Sequence, residues 1–144
     1  MTDVSKAGTG ATRRSVQYVI DPTRAGPMKR SLEHMLFTRR CPTCRSRLEK
    51  EAAAPNAATQ IQEIAGCCGK AEDFIKPEMP LMEIVFRTVL AGGNRPIGLE
   101  ELHQALTDTF ATPMVPRNLS IEALRTILTR DDFYCLTELK QVSQ

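Results

Sequence analysis

Four of the five cysteines in this 144-residue chain are spaced as metal ligands. Cys41-Pro42-Thr43-Cys44 sets two thiols on one tight turn, and the proline helps to fix that turn. After the intervening stretch Arg45 to Gly66 comes the adjacent pair Cys67-Cys68. Together Cys41, Cys44, Cys67 and Cys68 can close a tetrahedral thiolate shell, and zinc is the ion expected in it. Neighbouring side chains tend to diverge, so Cys68 joins Cys67 at one ion only through unusual local geometry. His34 and Asp73 are the alternative fourth ligands. A redox Cys-x-x-Cys needs a thioredoxin-like strand–helix setting, which this pair lacks. Cys135 lies in an apolar stretch and is expected in the core.

Other chemistry finds little support in the residues. There is no Ser/His/acid constellation, no phosphate-cradling glycine loop and no recognisable carboxylate pair. Gly92-Gly93 reads as a helix stop, and His103 falls off the apolar face of its segment, where exposure is expected. The chain is therefore expected to bind rather than to catalyse.

Charge is unevenly spread. The net charge is only +2, yet residues 1–50 hold eleven Lys/Arg against four Asp/Glu, an excess of seven, which leaves the remainder at −5. Basic segments seek phosphate, so Arg13, Arg14, Lys29, Arg30, Arg39, Arg40, Arg45 and Arg47 are the candidate nucleic-acid contacts. Aromatic residues make up 5% of the chain with no Trp, which argues against a stacking platform for single strands. No apolar run approaches the roughly 20 residues of a membrane helix. The polar N-terminus has no secretory apolar stretch, so a cytoplasmic location is expected.

The elements that must position these residues fall into two groups. Residues 1–14 read as a disordered basic leader, and 15–75 as a small module opened by a strand at Ser15 to Ile20. Lys29 to Phe37 and Thr59 to Ala65 are each compatible with helix or strand. A linker at 76–80 contains Pro77 and Pro80 and leads into a second domain, 81–144. There, Leu81, Met82, Val85, Phe86, Val89 and Leu90 mark one helix, stopped at Gly92-Gly93-Asn94. Leu99, Leu102, Leu106 and Phe110 mark a second. Ile121, Leu124, Ile127 and Leu128 mark a third, and a loose strand runs from Phe133 to Leu139. The fold class is α+β.

Two resemblances follow from these patterns. The order of strands and cysteine turns over roughly 35–75 resembles a zinc ribbon, although a ribbon normally has a second Cys-x-x-Cys where this chain has Cys67-Cys68. The segments PLMEIVFRTVLAGGNRPIGLEELHQAL and LSIEALRTILTRDDFYCL resemble the HARE-type helix-turn-helix group, which includes the N-terminal domain of the RNA polymerase delta subunit. That likeness covers about residues 80–139 and implies a winged helix. The third helix would then present Arg117, Asn118, Glu122, Arg125, Thr126, Thr129 and Arg130 to a groove or a partner. Residues 77–144 carry six Lys/Arg against nine Asp/Glu, so DNA would be repelled and a protein partner, met through Arg125 and Arg130, is favoured. The expected function is a zinc-binding, nucleic-acid-associated accessory factor of the transcription type. A protein–protein adaptor and a subunit of a larger assembly, each with purely structural zinc, stay open beside it.

Overall fold

The computed structural model describes residues 16–29, 31–51, 55–109 and 119–140. Within them the chain is α+β, with six helices and a three-stranded antiparallel sheet. In chain order these are β1 (Val16–Ile20), α1 (Leu32–Thr38), α2 (Pro42–Glu49), α3 (Ala57–Gly66), α4 (Leu81–Ala91), β2 (Ile97–Gly98), α5 (Leu99–Thr109), α6 (Ile121–Thr129) and β3 (Leu136–Lys140). Short 3₁₀ turns occupy Pro22–Arg24 and Cys68–Lys70.

Local signals account for most helix ends. The side chains of Ser31, Asn56 and Ser120 accept from the backbone N–H groups of His34, Thr59 and Ala123, satisfying donors that each first turn would otherwise leave bare. α4 stops as its sequence requires. The Asn94 N–H reaches the Val89 carbonyl at 3.0 Å and the Gly93 N–H reaches Leu90 at 2.9 Å, with Gly93 at φ +76°. That is a Schellman ending, which needs a left-handed residue and so favours glycine.

The segment expected to resemble a zinc ribbon is built differently. From Leu32 to Lys70 the described residues form helices α1 to α3 and a 3₁₀ turn, with no strand among them. The physical reason lies in the helix starts. Pro42 sits in the first turn of α2 behind Cys41, Asn56 caps α3, and Ala57, Gln60, Ile61 and Ile64 recur at helical spacing on its buried side. The charged stretch after Cys44 is the body of α2.

The sheet order is β2-β1-β3, so the strand from the N-terminal segment is the central one. Tyr18 pairs with Ile97 on one side and Glu138 on the other. Val16, Tyr18 and Ile20 turn inward, following the period of two. β2 is too short to reach Ile20, and Asn94 takes its place. The Asn94 side-chain carbonyl accepts from the Ile20 N–H at 2.7 Å, and its amide donates to the Ile20 carbonyl at 2.9 Å. Asp131 organises the entry to β3, accepting from the backbone N–H groups of Phe133, Tyr134 and Leu136. The Arg24 guanidinium donates to the Leu136 carbonyl. With the Leu136 N–H and carbonyl both taken, the start of this strand edge is closed to a further strand.

One apolar cluster runs through all of this. It joins Tyr18 and Ile20 of β1, Leu32 and Leu36 of α1, and Ile61 and Ile64 of α3 to Val85, Phe86 and Leu90 of α4 and Leu102, Leu124 and Leu136 beyond. Lys76–Pro80, expected as a linker, therefore joins segments that share a core. Ile84, outside the expected apolar face of α4, is fully buried because that helix is covered on two sides. Cys135 is buried as expected. No described helix is long and apolar enough to cross a membrane.

Candidate metal centre and the charges around it

α2 starts at the metal site. Cys41 is its N-cap residue and Cys44 lies in its first turn, while Cys67 ends α3 and Cys68 opens the following 3₁₀ turn. The two cysteine pairs thus come from a helix start and a helix end brought face to face. All four sulfurs lie within 4.8 Å of one another, and Cys44 Sγ and Cys67 Sγ are 3.6 Å apart. A tetrahedral thiolate shell with metal–sulfur bonds of about 2.3 Å sets sulfur–sulfur separations of roughly 3.8 Å. The donor set and its spacing fit: these four cysteines are positioned to hold a metal ion.

The adjacent pair converges because of the backbone at Cys67. Its φ of −136° and ψ of −76° lie outside the helical and extended basins. Gly69 permits the approach that follows. A Cβ there would stand 3.1 Å from the Ala91 Cα and 3.2 Å from the Ile64 carbonyl oxygen, so glycine lets the Cys68 turn rest on the last turn of α4 without displacing backbone. His34 and Asp73 are both exposed and neither belongs to the four-sulfur group.

The thiols are electrostatically unequal. A backbone hydrogen bond from Cys44, at the start of α2, lowers Cys41 to about 7, against the opposing effect of burial. The Cys41 N–H in turn donates to Cys68 Sγ at 3.2 Å. Burial pushes Cys68 up to about 12. Cys67 is raised by its hydrogen bond with Cys44 and the neighbouring sulfur charge. It is the exposed member of the group, whereas Cys44 and Cys68 are buried.

The arginines expected to meet phosphate have divided loyalties. Arg39 forms a two-pronged ion pair with Glu83, at 2.9 and 2.8 Å, and stacks over the Phe86 ring at 5.0 Å. Arg40 is 3% exposed and donates to Glu63 and Gln60. Both guanidinia are thus engaged inside the protein, Arg40 buried and Arg39 half-buried, although both also line a cleft beside Cys41. The reason is desolvation: a guanidinium buried this far needs its carboxylate inside the protein. Arg47 is exposed but reaches Cys44 Sγ at 3.5 Å. Arg45 is half-buried, and Lys29 is exposed at φ 57°. Arg13, Arg14 and Arg30 lie outside the described residues.

Glu83 is the residue that sequence reasoning missed. It also accepts from Arg87 at 2.7 Å and from the Tyr134 hydroxyl at 3.1 Å. Arg87 lies over Phe74 and donates to the Phe74 carbonyl. Only the Glu83-Arg87 spacing on one helix face hinted at this cluster, because Arg39 and Tyr134 arrive from distant parts of the chain.

On α6, Leu124 and Leu128 face inward, and Glu122, Arg125, Thr126, Thr129 and Arg130 line a shallow groove of about 490 Å³. Arg125 is held at 3.4 Å by Glu138, which also accepts from Tyr18 at 3.1 Å; Arg130 is exposed. Arg117 and Asn118 lie outside the described residues. Asp131, just past this helix, accepts from the backbone N–H groups of Phe133, Tyr134 and Leu136. His103 is half-buried, its Nε2 2.7 Å from the Leu119 carbonyl, so it pins the chain entering α6 to α5. No family model, curated protein or solved structure matches this chain.

Proposed function

We propose that the protein is a zinc-stabilised accessory factor of the transcription type, which acts by binding and performs no reaction at its metal. The four-cysteine shell carries this reading. Four thiolates fill a tetrahedral zinc site and leave no position for water or substrate, which is the pattern of structural zinc. The metal would be held by Cys41, Cys44, Cys67 and Cys68, and it would fix α2, which buries only Cys44 and Leu48.

Since Arg39 and Arg40 are spent internally, phosphate contact falls to Arg13, Arg14, Lys29 and Arg30. The polar groove of α6, with Arg130 at its end, suits a macromolecular partner in the manner of a winged helix. Binding of duplex and single-stranded DNA and RNA by the whole protein, measured across a salt series, tests the reading. Affinity should fall steeply with salt and collapse when Arg13, Arg14, Lys29 and Arg30 become glutamine. Absence of binding at low salt overturns it in favour of a protein adaptor. One observation favours that second reading: Leu139, on β3, is 38% exposed, the one large apolar side chain so placed among the described residues.

A further inference from the structure

Four thiolates around a divalent ion carry a net charge of −2, and two of these sulfurs, Cys44 and Cys68, are buried. A buried charge of that size is costly unless cations or N–H donors face it. Three nearby guanidinia are already matched: Arg39 and Arg87 share Glu83, and Arg40 is paired with Glu63. Arg45 and Arg47 differ. Neither has a carboxylate partner among the described residues. Both stand on α2 above the cysteine turn, Arg45 four residues after Cys41 and Arg47 three after Cys44, the spacings that place helix side chains over one another. Arg47 Nη2 lies 3.5 Å from Cys44 Sγ. Arg45 lines a cleft of about 250 Å³ together with Cys41 and Cys68.

We propose that Arg45 and Arg47 are the charge partners of the metal centre: positioning residues that offset the −2 of the tetrathiolate shell, one over each side of the cysteine turn. Two cations without a carboxylate partner among the described residues meet the two net negative charges of the shell. They hold the metal by offsetting the charge of its thiolate shell, and they are correspondingly poor phosphate contacts. The inference rests on the reading of the four cysteines as a metal site and adds to it.

The test uses the full chain and zinc alone, with affinity measured by competition against a chromogenic chelator and cobalt(II) substituted as a spectroscopic probe. The variants are Arg45→Gln, Arg47→Gln, the double glutamine, the double lysine, and a control, Lys76→Gln/Arg95→Gln, that removes the same charge at exposed positions elsewhere. Loss of an outer partner of a metal ligand typically weakens binding by about 10- to 100-fold. Each glutamine variant should weaken zinc binding within that range, the double variant more, with the cobalt–thiolate charge-transfer band displaced. The double lysine should stay within about threefold of the parent, and so should the control. A double glutamine variant that binds zinc like the parent, or no worse than the control, overturns the proposal while leaving the metal site standing. Equal loss in the glutamine and lysine doubles also overturns it, since charge would then not be what these residues supply. A parent chain that takes up no metal overturns both readings.

Discussion

Glu83 shows how one residue can tie distant segments together. Burial pushes its carboxyl up, but hydrogen bonds and charge from Arg39 and Arg87 outweigh this and hold it below the ordinary value of 4.5. A group whose folded pKa is depressed contributes stability above its unfolded pKa, and that contribution is lost as pH falls through the folded value. Stability should therefore decline on acidification below about pH 4.5, and the decline should be shallower in Glu83→Gln. At neutral pH that variant should lose about 3 kcal/mol, because two largely buried guanidinia are left without their carboxylate. Denaturant unfolding across a pH series measures both effects. Asn94 offers a cleaner residue-scale case. Asn94→Gly keeps the left-handed backbone and deletes only the amide that stands in for a strand beside Ile20. It should cost about 1–3 kcal/mol for leaving a backbone donor and acceptor without partners. An unchanged midpoint in denaturant would show that water replaces the amide without loss.

At the scale of the element, α2 has the most to gain from a metal at the four cysteines. Eight residues with two buried side chains are too short and too polar to hold a helix alone. Chelation of the metal, or Cys44→Ser, should release amide protection over 42–49 in hydrogen exchange, while α4 and α5 keep theirs. Equal protection with and without metal would mean that Leu48 and the helix ends suffice. The contact between the Cys68 turn and α4 makes a companion case. Gly69→Ala pushes a methyl group onto the Ala91 backbone and should destabilise by about 1–3 kcal/mol, lowering zinc affinity with it, since the same turn presents Cys68.

The whole molecule is organised around a strand that comes first in the chain. β1 lies between β2 and β3, so residues 77–144 by themselves lack the centre of their sheet and the inward faces of Tyr18 and Ile20. That fragment should give poorly dispersed amide spectra and no cooperative unfolding, and a peptide spanning 15–29 added in trans should restore dispersion. A cooperatively folded fragment without the peptide would show that α4 to α6 are self-sufficient.

The sequence by itself determined the features that local chemistry decides. Cys-x-x-Cys marked two members of the four-sulfur group, the 3.6-residue period placed α4, α5 and α6, and Gly92-Gly93-Asn94 placed the end of α4. The Ser120 cap of α6 is equally local: the bond it makes lies three residues away. The tertiary structure decided what depends on partners far along the chain. Cys68 joined the four-sulfur group through the backbone of Cys67 and the bare surface of Gly69 against Ala91. The fate of the basic residues was likewise invisible in the sequence. An arginine's charge is set by its type, but whether it meets solvent or a carboxylate depends on desolvation, which only the packed core defines. Arg39 found Glu83 across forty-four residues. Periodicity identified the β1 strand, but its place at the centre of the sheet was fixed by Asn94, Ile97 and Glu138, none of them near it in the chain.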